Sequence, residues 1–478
     1  MLKNYISELL KKNTTFDPTK DQEALLSIFS DFIPRQNERD VLLVKGYAGT
    51  GKTSMIGIFI RTVNELKQKT VLLAPTGRAA KVLSSISGVP ATTIHKRIYR
   101  QKTSKDAFGD FRLDRNLESN TYFIVDEASM ISDRGTENSF FGSGNLLEDL
   151  INYVYNERNC KLILVGDTAQ LPPVNLPLSS AMNERFLEGC YLNVISHELK
   201  EVVRQEKDSG ILSNATRLRK LISEEEVNQP QFTLSGFTDI SRIAGNEILD
   251  NINNAYNKYG KDETIIVCRS NKIANKYNQG IRAQILFREE EVAAGDYLMI
   301  VKNNYHWLSE NDATPFIANG DIVRVKRVKK FQDLYGFRFA EADLVMPDYN
   351  NLEITVKILL DTLYTETPAL TAEDNKKLYY TIAEEEYGDI TQLKKRNEKV
   401  REDPFFNALQ VKFAYAVTCH KSQGGQWSAV FVDQSYFREE MLTKDYLRWL
   451  YTAFTRATEK VYLVNFSDEF FDESEKMK

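Results

Sequence analysis

The 478-residue chain is poor in cysteine and proline, has no long apolar run and carries a small net charge. Its four cysteines, Cys160, Cys190, Cys268 and Cys419, lie far apart and form no CxxC pair. This spacing argues against a disulfide framework or a structural zinc site, and a reducing cytoplasm is the expected setting. Twelve prolines and 23 glycines are too few for a fibrous or low-complexity chain. With 42% hydrophobic and 27% charged residues, the composition is that of a folded protein. No stretch reaches the roughly 18 apolar residues a membrane-spanning helix needs, so no membrane association is expected. The opening sequence MLKNYISELLKKNTTFDPTK lacks the uninterrupted apolar core of a signal peptide. Sixty-two basic and 67 acidic side chains give a net charge of −5, which on its own does not point to nucleic acid.

What the chain does have is a series of short apolar runs, each ending in small, polar or acidic residues. These are DVLLVK at 40–45, TVLL at 70–73, YFIV at 122–125 and KLILV at 161–165. Such runs, separated by helix-length segments, predict buried parallel strands of an α/β sheet. A second α/β unit is expected from the strands at 264–268, 426–432 and 461–464. Between them, residues 320–405 open with alternating apolar and charged residues, the pattern of an antiparallel strand with one wet face. The expected organisation is a first α/β domain over 1–200, interrupted by a hairpin insertion at 97–119. A second follows over 201–478, interrupted by a small β-rich domain at 320–405.

The first run leads into Gly46-Tyr-Ala-Gly49-Thr50-Gly51-Lys52-Thr53-Ser54, a complete G-x-x-x-x-G-K-[ST] motif between a strand and an amphipathic segment. Its glycines let backbone N–H groups approach phosphates, and the helix N-terminus adds a favourable dipole. Lys52 would neutralise the β- and γ-phosphates of ATP, and the Thr53 hydroxyl would ligate Mg²⁺. Asp126-Glu127 ends the third run, where Asp126 would hold Mg²⁺ and Glu127 would activate the attacking water. The fourth run leads into Gly166-Asp-Thr-Ala-Gln170-Leu-Pro-Pro. A glutamine there can distinguish ATP from ADP by hydrogen-bonding the γ-phosphate or the water.

With these elements in this order, the chain resembles the superfamily 1 DNA helicases of the RecD/Dda-like branch. Further motifs carry the resemblance to the C-terminus. FDPTKDQ at 16–22 is similar to the adenine-reading motif that would use Gln22. APTGRAA at 74–80, with Pro75 and Thr76, and TTIHK at 92–96, with His95 and Lys96, resemble single-strand contact motifs. VVRQ at 202–205 is similar to the motif whose arginine, here Arg204, reaches the γ-phosphate. AVTCHKSQG at 416–424 places Thr418, His420 and Lys421 at DNA and Gln423 and Gly424 at the nucleotide; YTAFTRA at 451–457 supplies Arg456 as an arginine finger. The run GQW at 425–427 departs from the relatives' usual turn.

The resemblance implies two RecA-like domains with ATP and Mg²⁺ between them and an SH3-like insertion in the second. It also implies single-stranded DNA across their top, and duplex or forked DNA unwound 5′ to 3′ by a monomer. A DNA-dependent ATPase switch, or a translocase that strips proteins without separating strands, is the alternative. The branch places a duplex-splitting wedge near 97–119, where Phe108 and Phe111 flank a turn. The basic runs at 95–105 and 324–330 are candidate stretches of the DNA track, although edge strands also carry lysine against aggregation.

Overall fold

The computed structural model describes residues 2–101, 111–133, 142–174, 176–202, 209–308 and 316–472. The first domain is built on β1 (Asp40–Gly46), β2 (Lys69–Ala74) and β3 (Ala91–Thr93). A two-stranded hairpin, β4 (Tyr99–Gln101) and β5 (Phe111–Leu113), leads to β6 (Thr121–Val125), β7 (Lys161–Gly166) and β8 (Asn193–Leu199). Apart from the hairpin, these form one sheet in the order β3-β2-β6-β7-β1-β8, with every neighbouring pair parallel. The apolar runs are nearly continuous because both faces are covered. Val41 and Leu43, with Phe123, Leu162 and Leu164, face one core; Leu42 and Val44, with Ile124, Ile163 and Val165, face the other. That split follows from the two-residue period of a strand.

The second domain repeats the plan with β9 (Ile240–Ile243) and β10 (Thr264–Cys268). A barrel intervenes, made of β11 (Tyr297–Ile300), β12 (Ile322–Leu334), β13 (Phe337–Met346), β14 (Leu352–Leu359) and β15 (Leu409–Phe413). The sheet then resumes with β16 (Ala416–Thr418), β17 (Trp427–Asp433) and β18 (Ala457–Val464). Its order is β16-β10-β17-β18-β9, again parallel throughout. The segment expected at 320–405 supplies β12, β13 and β14; β11 and β15 come from its flanks and close the barrel through pairings such as Leu298 with Phe413. Along β12, Val323 and Val325 are buried while Arg324 and Lys326 are exposed, as alternation predicted.

The barrel also docks on the first domain, at the helix Gly77–Ser87 that follows β2. Lys81 pairs with Asp348 at 3.2 Å, and a Cβ on Gly77 would lie 2.6 Å from the Tyr349 hydroxyl oxygen, so a larger residue there would displace that tyrosine. Tyr349 donates to Asp321 Oδ1 at 3.0 Å, and burial pushes the Asp321 carboxyl up from 3.8 to about 7. A carboxyl with a raised folded-state pKa favours the fold when protonated. Its contribution is complete below about pH 3.8 and is lost as pH rises through about 7. The wild-type thermal midpoint should therefore fall relative to that of Asp321→Asn as pH is raised from about 4 to 7. A pH-independent difference between the two proteins would contradict this assignment. Among the described residues, no helix is long and apolar enough to cross a membrane.

Candidate functional site

The carboxyl ends of the first sheet's strands gather the expected nucleotide residues, as open α/β sheets do. β1 ends at Gly46, and the turn that follows passes through left-handed conformations at Gly49 (φ +79°) and Gly51 (φ +80°). Residues with a Cβ seldom adopt these angles. At Gly46 a Cβ would lie 2.9 Å from both Lys52 Cγ and Thr50 Oγ1, so the loop closes on its own lysine. Lys52 opens the helix Lys52–Glu65, whose first turn also carries Thr53 and an exposed Ser54. The Lys52 ammonium donates to the carbonyls of Gly46 (2.7 Å) and Tyr47 (2.9 Å), which keeps its charge at the loop. Thr50 is buried, and its hydroxyl donates to Tyr47 O at 2.8 Å.

Gln22 is buried at the start of the helix Lys20–Phe32. Its amide donates to Thr50 O at 3.0 Å, and its carbonyl oxygen accepts from Thr19 N–H at 3.1 Å. In this structure it braces the phosphate loop from behind. Asp21 beside it accepts from the N–H groups of Lys200 and Glu201 at 2.8 and 3.0 Å, holding the chain that leaves β8.

Asp126 and Glu127 follow β6. Burial, reinforced by the neighbouring Glu127, pushes the Asp126 carboxyl up from 3.8 to about 6, and Lys52 opposes this. Glu127 adopts a left-handed backbone (φ +54°), and its N–H donates to Asp126 Oδ1 at 2.9 Å. Strain of this kind in a non-glycine residue is commonly found at functional positions. Gln170, after β7, is buried, and its Oε1 has no hydrogen-bond partner among the described residues. A buried acceptor of that kind is costly unless something donates to it. A glycine cradle, an ammonium, a hydroxyl, two carboxylates and an orphan acceptor together fit a nucleotide triphosphate with Mg²⁺, a hard cation that prefers oxygen ligands.

The second domain meets this site directly. Gln423 is buried and donates to Leu171 O at 2.6 Å, while the Leu171 N–H donates to Thr452 Oγ1 at 2.8 Å. Tyr451 donates to Asp167 Oδ2 at 2.7 Å and accepts from Ala48 N–H at 2.8 Å. A Cβ on Gly424 (φ +72°) would lie 2.9 Å from Thr76 Oγ1 of the first domain. Arg78 also crosses the boundary: it donates to Gln426 O at 2.8 Å and stacks on the Trp427 ring at 4.1 Å. This gives the atypical GQW run a structural role. Arg456 is buried; its Nε donates to Thr452 O and its Nη1 to Gly425 O, both at 3.1 Å. The sequence motifs placed Gln423, Gly424 and Arg456 at the cleft but gave no sign of Tyr451, Thr452 or Tyr47 as cross-domain contacts.

The expected DNA residues fall on strand ends and helix starts of both domains. Thr76 caps the helix Gly77–Ser87 by accepting from Ala79 N–H, with Pro75 just before it. His95 and Lys96 open the short helix Ile94–Ile98, capped by Thr93. Burial pushes the His95 imidazole down to about 4, so it is neutral at physiological pH and would contact DNA by its ring and hydrogen bonds rather than by charge. Burial also lowers Lys96 and brings Lys421 down to about 8. Thr418 ends β16, His420 is exposed one turn on, and Lys421 donates to Asn319 Oδ1. Thr418 and Lys421 line a small cavity with Asn271 and Asn275, polar neighbours that no sequence motif marked.

Arg204 and Phe108 lie outside the described residues, and Phe111 is described only as the first position of β5. The hairpin pairing of Tyr99 with Leu113 and Gln101 with Phe111 fixes the base of the expected 97–119 insertion. Among the described residues, several bases of the two runs are paired. Arg97 pairs with Glu118 and Arg100 with Asp114, while Lys326 pairs with Glu353 and both Arg327 and Lys329 with Asp343.

Residues 35–229 match the AAA domain family, and residues 413–464 match the UvrD-like helicase C-terminal domain. The chain is 23% identical over 438 residues to the ATP-dependent DNA helicase dda of Enterobacteria phage T4, covering 87% of this chain and 93% of that protein. It is 24% identical over 520 residues to the RecBCD enzyme subunit RecD of Buchnera aphidicola, covering 98% of this chain and 77% of the relative. Among solved structures, the Pif1 helicase from Bacteroides in complex with ADP-AlF3 and ssDNA aligns over 96% of this chain and 95% of its own, at 14% identity and a TM-score of 0.44. Two parallel-sheet domains facing each other across a phosphate loop, the matched domains at either end and the motifs between them make the chain similar to the superfamily 1 helicases of the RecD/Dda-like branch.

Proposed function

We propose that the protein is an ATP-dependent DNA helicase that moves 5′ to 3′ on single-stranded DNA and separates duplex strands, acting as a monomer in the cytoplasm. The observation that carries this reading is the grip of the second domain on the loop after β7. Asp167 and Leu171 are bonded to Tyr451, Thr452 and Gln423, and Gln170 stands between them with an acceptor that no described residue meets. A change at Gln170 therefore has a direct mechanical path into the second domain.

Magnesium, held by Thr53 and Asp126, would neutralise developing charge on the phosphates. The phosphate-loop N–H groups and Lys52 bind and orient the triphosphate. Glu127 accepts a proton from the attacking water, and Gln170 positions that water. Arg456, with Arg204 as its partner, supplies positive charge from the far side of the cleft, so hydrolysis depends on domain closure. Thr76, Thr418 and Lys421, with His95, Lys96 and His420, contact the strand through phosphates and stacked rings without reading sequence. The 97–119 hairpin, through Phe108 and Phe111, is the proposed wedge.

The test is unwinding of forked duplexes that carry only a 5′ or only a 3′ single-stranded tail, with ATP and Mg²⁺. Opening of the 5′-tailed fork is expected. Opening of the 3′-tailed fork alone would reverse the polarity. DNA-stimulated hydrolysis without opening of either fork would favour a switch or a protein-stripping translocase.

A further inference from the structure

The Tyr451 hydroxyl stands where three parts of the site meet. It donates to Asp167 Oδ2 at 2.7 Å and accepts from Ala48 N–H at 2.8 Å, and the ring is buried in the second domain's core. The other oxygen of Asp167 accepts from Ala169 N–H at 2.9 Å, so one carboxylate holds both the loop's own turn and the tyrosine. Thr452, the next residue on the helix Lys444–Phe454, holds the far end of the same loop through Leu171 N–H. The phosphate loop is gripped beside Ala48 as well. The Tyr47 ring lies under the Arg219 guanidinium at 4.4 Å, and its hydroxyl donates to Glu198 Oε1 at 2.9 Å.

We propose that Tyr451 is a positioning residue that makes the phosphate loop, the loop bearing Gln170 and the helix leading to Arg456 move as one unit when the domains close. The proposal rests on the motor reading above. A hydroxyl donating to a fixed carboxylate and accepting from a fixed amide has one defined orientation. Burial and the adjacent Asp167 hold its pKa far above the usual tyrosine range, so it remains a donor at any working pH. Phenylalanine keeps the ring packing but leaves Ala48 N–H and Asp167 Oδ2 without this partner, at positions where a lost partner is expensive. The three elements then lose the one atom they share.

The experiment compares wild type, Tyr451→Phe, Asp167→Asn and the double variant. Two readouts are taken: kcat and KM for ATP at saturating single-stranded DNA, and the ratio of DNA Kd values with ADP and with a non-hydrolysable ATP analogue. Tyr451→Phe is expected to lower kcat about tenfold or more, the size of one buried hydrogen bond to a charged group, with KM within about twofold. The Kd ratio should collapse towards one. Asp167→Asn should behave alike, and the double variant should lose no more than either single one, as for residues acting through one contact. A wild-type Kd ratio in Tyr451→Phe overturns the proposal even if kcat falls, because a merely structural defect reduces active protein without uncoupling DNA affinity from the nucleotide. Losses that multiply in the double variant overturn it too. If the wild type shows no DNA-stimulated hydrolysis, the motor reading falls and takes the proposal with it, an outcome distinct from the other two.

Discussion

Lys52→Ala is expected to lower DNA-stimulated ATP hydrolysis by roughly 10²–10³-fold, the usual cost of removing one preorganised charge stabiliser from a phosphoryl or acyl transfer site. Two losses combine at this position. The ammonium that the Gly46 and Tyr47 carbonyls hold at the loop disappears, so charge developing on the transferred phosphate loses its nearest neutralising group on the first domain. Lys52 also opposes the rise of the Asp126 carboxyl, which already stands near 6. Without it, Asp126 moves further towards the protonated form, which would make it a poorer ligand for the proposed magnesium at neutral pH. The defect should therefore deepen as pH is lowered from about 8 towards 6, more steeply than in wild type. Fork opening should vanish along with hydrolysis. The thermal midpoint should change little, because Lys52 is only half-buried and sits at a helix start. Phosphate release at several pH values, fork unwinding and a melting curve check these statements, and a Lys52→Ala protein that still opens a fork would sink the motor mechanism.

Much of this site could be read from the sequence because its signals are local. The phosphate loop needs glycines at fixed offsets from a lysine, and Gly49 and Gly51 do adopt the left-handed angles that require them. The buried strands β1, β2, β6 and β7 announce themselves because both of their faces are dry. Features created by distant pairing were harder to read. The barrel closes through Leu298 against Phe413, and neither flank carries a mark of that partnership. The basic run at 324–330 read either as part of a DNA track or as a charged strand edge, and in the fold three of its bases, Lys326, Arg327 and Lys329, are met by Asp343 of β13 and Glu353 of β14. Tyr451 sat in plain view within a motif, but its partner Ala48 is 403 residues away. Motif membership gives the residue type and leaves the contact unknown.

Arg456→Ala should remove roughly 10³–10⁵ of the hydrolysis rate, the range of an arginine finger, and the present geometry shows how to separate that effect from a folding defect. The guanidinium is buried and donates to the Thr452 and Gly425 carbonyls, with a further bond to Thr455 Oγ1 at 3.4 Å. Truncation therefore takes the guanidinium from the Gly425 carbonyl, while Thr452 O keeps the Thr455 hydroxyl, at about 1–3 kcal/mol, and lowers the melting temperature. A stability loss of that size leaves most molecules folded at 25 °C and cannot account for three or more powers of ten in rate. Arg456→Lys sharpens the test. Lysine keeps the charge and can satisfy one carbonyl, but it lacks the planar fork that could hold Gly425 and a phosphate oxygen together. It should recover much of the melting temperature while recovering little of kcat, and single-stranded DNA binding without nucleotide should stay near wild type in both variants. If Arg456→Lys hydrolyses ATP at the wild-type rate, or if Arg456→Ala loses activity only in proportion to its folded fraction, then Arg456 is a structural brace between Thr452 and Gly425, and the charge from the far side of the cleft must come from another residue.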